Sequence, residues 1–181
     1  DRKSVLEDLA AYIKENLSHE KKVKLIFICT HNSRRSHFGQ IWAETAASYF
    51  GIDNLEAYSG GTEATAFNPR AVAAVERAGF TIDKASGENP RYQVSLSEES
   101  KPMVCFSKKF DHSTNPTQKF AAVMTCSDAD ENCPFVPGAE YRARITYNDP
   151  KAADGTLEES LVYDKRCAQI AREMFYVFSK V

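Results

Sequence analysis

The sequence predicts an α/β doubly wound fold, and three observations carry that prediction. Residues 23–29 and 120–125 are β-rich apolar runs with the continuous hydrophobicity of strands buried on both faces of a parallel sheet. Other segments carry apolar residues at helical spacing, so strand and helix alternate along the chain. No internal repeat, low-complexity tract or linker separates two cores, and residues 1–181 are expected to form a single domain.

Each element follows from its own pattern. In residues 4–17, Val5, Leu6, Leu9, Ala10, Ile13 and Leu17 form one apolar helical face. Ser4 is placed to cap that helix, with Glu7 completing a capping box. The strand 23–29 is followed by a turn and a helix from Ser33 that carries Phe38, Ile41, Trp42 and Tyr49 and stops at Gly51. A short strand, 55–59, ends at Gly60-Gly61; a helix over 70–78 starts from Asn68-Pro69 and stops at Gly79. Residues 81–118 are polar, with candidate strands at 92–96 and 103–106. The buried strand 120–125 leads into a loop over 126–138, then a strand at 142–147 and a closing helix over 157–181.

Composition narrows the function. With 43% hydrophobic and 27% charged residues, the chain can build a substantial core. A net charge of −2 gives no global basic field for nucleic acid or an anionic membrane. Apolar runs fall far short of the roughly 18 residues of a membrane span, and a cytoplasmic enzyme is expected. The five cysteines, at 29, 105, 126, 133 and 167, are too sparse for a disulfide scaffold.

Cys29 and Cys126 both fall at carboxyl ends of predicted strands, where ligands gather in doubly wound sheets. The segment Cys29-Thr30-His31-Asn32-Ser33-Arg34-Arg35-Ser36 joins a strand to a helix, so its backbone N–H groups and the positive helix end can cradle an anion. Arg35 can close that cradle with a bidentate fork. The same field stabilises negative charge on the Cys29 sulfur, to which Ser36 could donate a hydrogen bond. Residues 21–43 hold five Lys or Arg and no carboxylate, so the site is locally basic. A buried structural cysteine beside a solvent-facing arginine is the plainer reading; the strand–loop–helix context favours a reactive one.

Two further segments carry chemistry. Asp149-Pro150 lies in a short loop before the closing helix; alone it is turn chemistry. Cys126 and Cys133 are seven residues apart, too far for common zinc spacing and with no second ligand cluster, so no metal is expected. On a helix they would be separated by roughly 10 Å along the axis. A disulfide requires Cα atoms within roughly 4.4–6.8 Å, so oxidation would have to unwind such a helix.

The Cys29-x5-Arg35-Ser36 segment after the first strand resembles the signature of the low-molecular-weight protein tyrosine phosphatase superfamily, over a region from about residue 23 to the C-terminus. The resemblance implies a three-layer αβα fold with a central four-stranded parallel sheet. Residues 1–20 would be an added helix, and about 90–119 an insertion. It further implies Cys29 as nucleophile, Arg35 as oxyanion clamp, Thr30 to Ser36 as the binding loop, and Asp149 as the acid, with Asp128, Asp130 and Asp154 as rivals. His31 stands where the family usually carries Gly, so a β-carbon must be accommodated there.

Within the superfamily, the run Cys126-Ser-Asp-Ala-Asp-Glu-Asn-Cys133-Pro134 is similar to the thioredoxin-coupled arsenate reductases. The loop after Asp149 lacks the tyrosines with which phosphatases of this group grip an aryl substrate. Gln40 replaces the acidic residue that helps those reductases hold potassium, so no cation site is expected. This second resemblance implies a relay in which Cys29 attacks arsenate, Cys126 attacks Cys29, and Cys133 attacks Cys126. Thioredoxin then reduces the last disulfide, with no bound cofactor. The alternatives are a phosphotyrosine phosphatase working through a phosphocysteine at Cys29, and a non-catalytic oxyanion-binding or thiol-sensing module. Cys105 and Cys167 are expected to be ordinary structural thiols.

Overall fold

The computed structural model describes residues 1–83 and 85–181. Its centre is a four-stranded parallel sheet: β2 (Leu55–Gly61), β1 (Val23–Cys29), β6 (Phe120–Met124) and β7 (Ala139–Arg144), in that order. The central pair β1 and β6 are buried almost throughout, which is why they read as continuous apolar runs. From β1 the sheet grows to β2 on one side and to β6 and β7 on the other. The direction of winding therefore reverses at β1, and the crevice this creates lies beyond its carboxyl end, at Cys29.

One face of the sheet carries the larger core. Leu25, Phe27, Val123 and Ile145 pack there against helices α1 (Arg2–Ser18), α2 (Arg35–Tyr49), α3 (Pro69–Arg77) and α5 (Glu159–Phe178). On the other face Ile26, Ile28, Phe120, Ala122 and Met124 meet a thinner layer around α4 (Ser127–Asn132), with Cys29, Cys126, Ala129 and Val136 in the same cluster. The three layers agree with the expected αβα architecture. Helix α1 lies along α5 and the β7 edge: Arg2 pairs with Glu173 at 2.6 Å and Tyr12 stacks on Tyr141 at 4.7 Å.

Several boundaries differ from the sequence expectation. Helix α1 starts at Arg2, with the Asp1 carboxylate accepting from the Lys3 amide, so Ser4 lies inside the first turn and is not the cap. Gly60 and Gly61 do not end β2 but complete it, because residues 108–110 return alongside: the Gly61 amide donates to the Lys108 carbonyl, and the Phe110 amide to that of Gly61. A β-carbon on Gly60 would come within 2.4 Å of the Phe110 Cα, so only glycine permits that approach. The segment expected as a loop over 126–138 contains α4, whose first turn carries Asp128 and Asp130, charges that favour a helix N-terminus.

Strand β7 begins three residues earlier than expected. Beyond its end, Ile145 and Tyr147 still bond to Met124 and Thr125, which carries the chain toward Asp149. The polar stretch forms a small antiparallel sheet of β3 (Thr81–Asp83), β4 (Tyr92–Ser95) and β5 (Met103–Cys105). Strand β3 is not legible in the sequence: three residues with one buried side chain carry too little pattern.

Candidate active site

Cys29 is buried at the end of β1, and the following loop wraps into α2. Its sulfur lies 3.0 Å from Ser36 Oγ. Asn32 Nδ2 donates to that oxygen at 2.8 Å, which leaves the Ser36 hydrogen free to point at the sulfur. The left-handed residue in this loop is Asn32 (φ 45°), a residue type that tolerates that conformation. His31 therefore bears its β-carbon without a positive φ and turns outward, 3.5 Å from Glu63.

Arg35 reaches across to the loop after β7. Nη2 donates to Asp149 Oδ2 and Nη1 to the Tyr147 carbonyl, both at 2.8 Å. Asp149 is held in turn by the Lys151 amide, which fixes it at the start of a 3-10 turn, Pro150–Ala153. Arg34 donates from Nε to Tyr163, whose hydroxyl donates to Asp154, and Arg34 also stands 3.9 Å from Asp149 Oδ1 and 3.6 Å from Asp154 Oδ2. The rival carboxylates separate on contacts: Asp130 is bound by Arg142 and Arg144, Asp128 is exposed on α4, and Asp154 belongs to the Tyr163 network. Of the four, Asp149 is the one joined to Arg35 by a hydrogen bond.

Cys126 lies on the same side of the sheet as Cys29, its sulfur 3.5 Å from Thr30 Oγ1. The same sulfur caps α4 by accepting from the Ala129 amide. Cys133 ends that helix, is partly exposed, and donates to the Phe135 carbonyl at 3.5 Å. Cys105 and Cys167 lie apart from this cluster; burial pushes their thiols up to about 12 and about 11, so both stay protonated at neutral pH.

The loop is braced by residues that sequence inspection does not find. Ser107 Oγ donates to the His31 carbonyl and accepts from the Thr65 amide, each at 2.8 Å. The Lys108 amide donates to Asn32 Oδ1 at 2.9 Å. Residues 107 and 108 thus hold the binding loop in place. No local motif marks Ser107 or Lys108, since their partners lie 76 residues away in sequence.

His37 on α2 is a second brace. Its Nε2 lies 2.9 Å from the Asn32 carbonyl, so that nitrogen carries the hydrogen, and Nδ1 accepts from Ser59 Oγ. Burial, and secondarily the charge on Lys108, lower its pKa to about 3. Between that value and about 6.5 the unfolded chain binds a proton that the folded chain refuses, so stability falls as pH drops through this window. By pH 5 the loss attributable to His37 is about 2 kcal/mol. Urea unfolding at pH 7 and pH 5 measures it, and H37Q should remove that part of the slope.

The sequence and the fold match known proteins. A family model described as low molecular weight phosphotyrosine protein phosphatase matches residues 24–95. The chain is 31% identical over 147 residues to an arsenate reductase of Halalkalibacterium halodurans, covering 81% of this chain and 86% of that one. It is 29% identical to an arsenate reductase of Bacillus subtilis strain 168, again over 147 residues, 81% of this chain and 87% of that one. Among solved structures, a low molecular weight phosphotyrosine phosphatase from Vibrio cholerae O395 aligns with a TM-score of 0.58 at 13% identity, covering 87% of this chain and 94% of that one. An arsenate reductase in the phosphate-binding state aligns with a TM-score of 0.55 at 18% identity, covering 88% and 98%. The chain belongs to the low-molecular-weight phosphotyrosine protein phosphatase family.

Proposed function

We propose that this protein reduces arsenate to arsenite through Cys29, Cys126 and Cys133, with a thioredoxin-class dithiol as electron donor. The observation that carries this reading is the Cys126 sulfur, seated against Thr30 of the binding loop with Cys133 at the other end of the same short helix.

In the first step the Cys29 thiolate attacks arsenic(V) in an arsenate held by the loop amides and Arg35. An oxygen leaves as water after Asp149 supplies a proton, which gives a Cys29–arsenic adduct. Binding of the oxyanion draws the Arg35 fork toward it and away from Asp149. Cys126 then attacks the Cys29 sulfur; the electron pair of the sulfur–arsenic bond passes to arsenic, and arsenite departs as arsenic(III). A Cys29–Cys126 disulfide remains. Cys133 attacks Cys126, restoring the Cys29 thiolate and leaving a Cys126–Cys133 disulfide for the external dithiol to reduce.

The phosphatase reading uses the same Cys29, Arg35 and Asp149, and in it Cys126 serves as the cap of α4 and as a protective thiol. Arsenite production coupled to thioredoxin, thioredoxin reductase and NADPH, run beside para-nitrophenyl phosphate hydrolysis, separates the two. We expect arsenite formation that C29S eliminates together with any phosphate ester hydrolysis. Hydrolysis without arsenite formation would assign the protein to the phosphatases, and phosphate binding without either turnover would make it a binding module.

A further inference from the structure

Helix α4 is closed from outside by an arginine of the neighbouring strand. Arg142, on β7, donates through Nη1 to the carbonyls of Cys133 (2.9 Å) and Pro134, and through Nη2 to the carbonyl and the carboxylate of Asp130, both at 2.7 Å. The carbonyls of a last helical turn have no partner within the helix, so one guanidinium supplies what the sequence of α4 does not. Arg144 also contacts Asp130, at 2.9 Å, but it touches only the carboxylate and its side chain is 62% exposed. At the other end, Cys126 holds the first turn.

We propose that Arg142 is a latch: it holds α4 wound while Cys126 and Cys133 are thiols, and so sets how readily the two pair. The inference rests on the relay reading in taking Cys126–Cys133 as the product disulfide. Pairing requires the ends of α4 to approach within disulfide reach, which a wound helix of this length forbids. The last turn must open, and the Arg142 bonds to Asp130, Cys133 and Pro134 break with it. Those bonds stabilise only the dithiol form. Removing them shifts the balance toward the disulfide and frees the buried Cys126 more often.

The test uses the C29S chain, in which Cys126 and Cys133 pair without competition from the nucleophile. It is equilibrated with mixtures of reduced and oxidised glutathione. Two cysteine thiols give up two electrons and two protons, and one glutathione disulfide leaves as two glutathione thiols. Peptide mass mapping locates the bond, and iodoacetamide labelling of Cys126 under native conditions reports how often α4 opens. In R142M we expect the equilibrium constant to move at least tenfold toward the disulfide, which is about 30 mV toward more reducing potential for a two-electron couple. Cys126 labelling should accelerate by a similar factor, while R144M stays within about threefold of the parent on both readouts.

An unchanged constant and labelling rate in R142M would overturn the latch, as would an equal shift in R144M. Absence of any Cys126–Cys133 bond in the parent at every glutathione ratio would overturn the relay, and the labelling rate would still decide the latch. If R142M loses its cooperative thermal transition, R142K takes its place: it keeps the charge but not the fork, and faster labelling is again expected.

Discussion

C126S should lower thioredoxin-coupled arsenite formation by roughly 10³-fold or more while leaving para-nitrophenyl phosphate hydrolysis within about threefold of the parent. The asymmetry follows from what each reaction asks of this position. Ester hydrolysis needs Cys29, the loop amides, Arg35 and Asp149; the Cys126 sulfur meets the loop through the Thr30 hydroxyl, and its other contact is the Ala129 amide. Arsenate reduction needs a second sulfur to attack the first, and a serine oxygen cannot form that bond. The substitution is also gentle on the fold. Serine is nearly isosteric, and its hydroxyl is a good helix cap, so the bond from Ala129 is retained. The measurement is steady-state turnover on both substrates plus a single-turnover assay, in which the variant stops at the Cys29 adduct. Sustained arsenite formation in C126S would remove Cys126 from the relay. Equal loss of both activities would give it a structural role at the loop.

What the sequence reveals is whatever is local or buried on two sides. Strands β1 and β6 are central, so their side chains are apolar on both faces and the pattern is unbroken. Strand β7 is an edge strand with one fully buried residue, Ala143, and its pattern places its bounds poorly. Helix α4 leaves no apolar stripe because it buries a single side chain, Ala129; its stability comes from the Cys126 cap and from Arg142, a partner in another element.

The same rule governs the site. Cys29, Arg35 and Ser36 lie within one strand–loop–helix unit, and it is that context, more than their spacing, that points to an anion cradle. Asp149 is reached only through the resemblance, and the structure joins it to Arg35. The braces have no such signature. Ser107, Lys108 and Ser59 are polar residues whose importance lies in which loop carbonyl, amide oxygen or imidazole they meet, and that is decided by the path of the chain after β5 and by β2. His37 reads in sequence as one more polar residue near a helix start. Only its complete burial against Asn32 shows that it is a neutral support for the loop.

G61A should lower kcat/KM for arsenate and for para-nitrophenyl phosphate together, by about 10²-fold or more. Gly61 is the register partner of Cys29 at the end of the sheet, and it sits against the binding loop. A β-carbon there would stand 2.3 Å from the Glu63 carbonyl oxygen and 2.7 Å from both the Asn32 amide nitrogen and the Thr30 carbonyl oxygen. All three are backbone atoms, so no side chain can rotate away; the loop itself must shift. Its neighbours resist, because the Thr62 amide bonds the Cys29 carbonyl, the Glu63 amide bonds the Thr30 carbonyl, and Lys108 and Phe110 hold Gly61 from the other side. The methyl therefore displaces the amides that would surround the oxyanion, and overpacking of this kind also costs about 1–3 kcal/mol of stability. Gly51 is the matched control: a β-carbon on it meets nothing within 4 Å, and its φ of 69° costs only left-handed strain, about 1 kcal/mol in G51A. Comparable thermal destabilisation in the two variants with a selective loss of turnover in G61A would locate the effect in loop geometry. Normal phosphate affinity and turnover in G61A would mean that the loop yields to the methyl without moving its donors, and that the close approach at Gly61 is not what shapes the cradle.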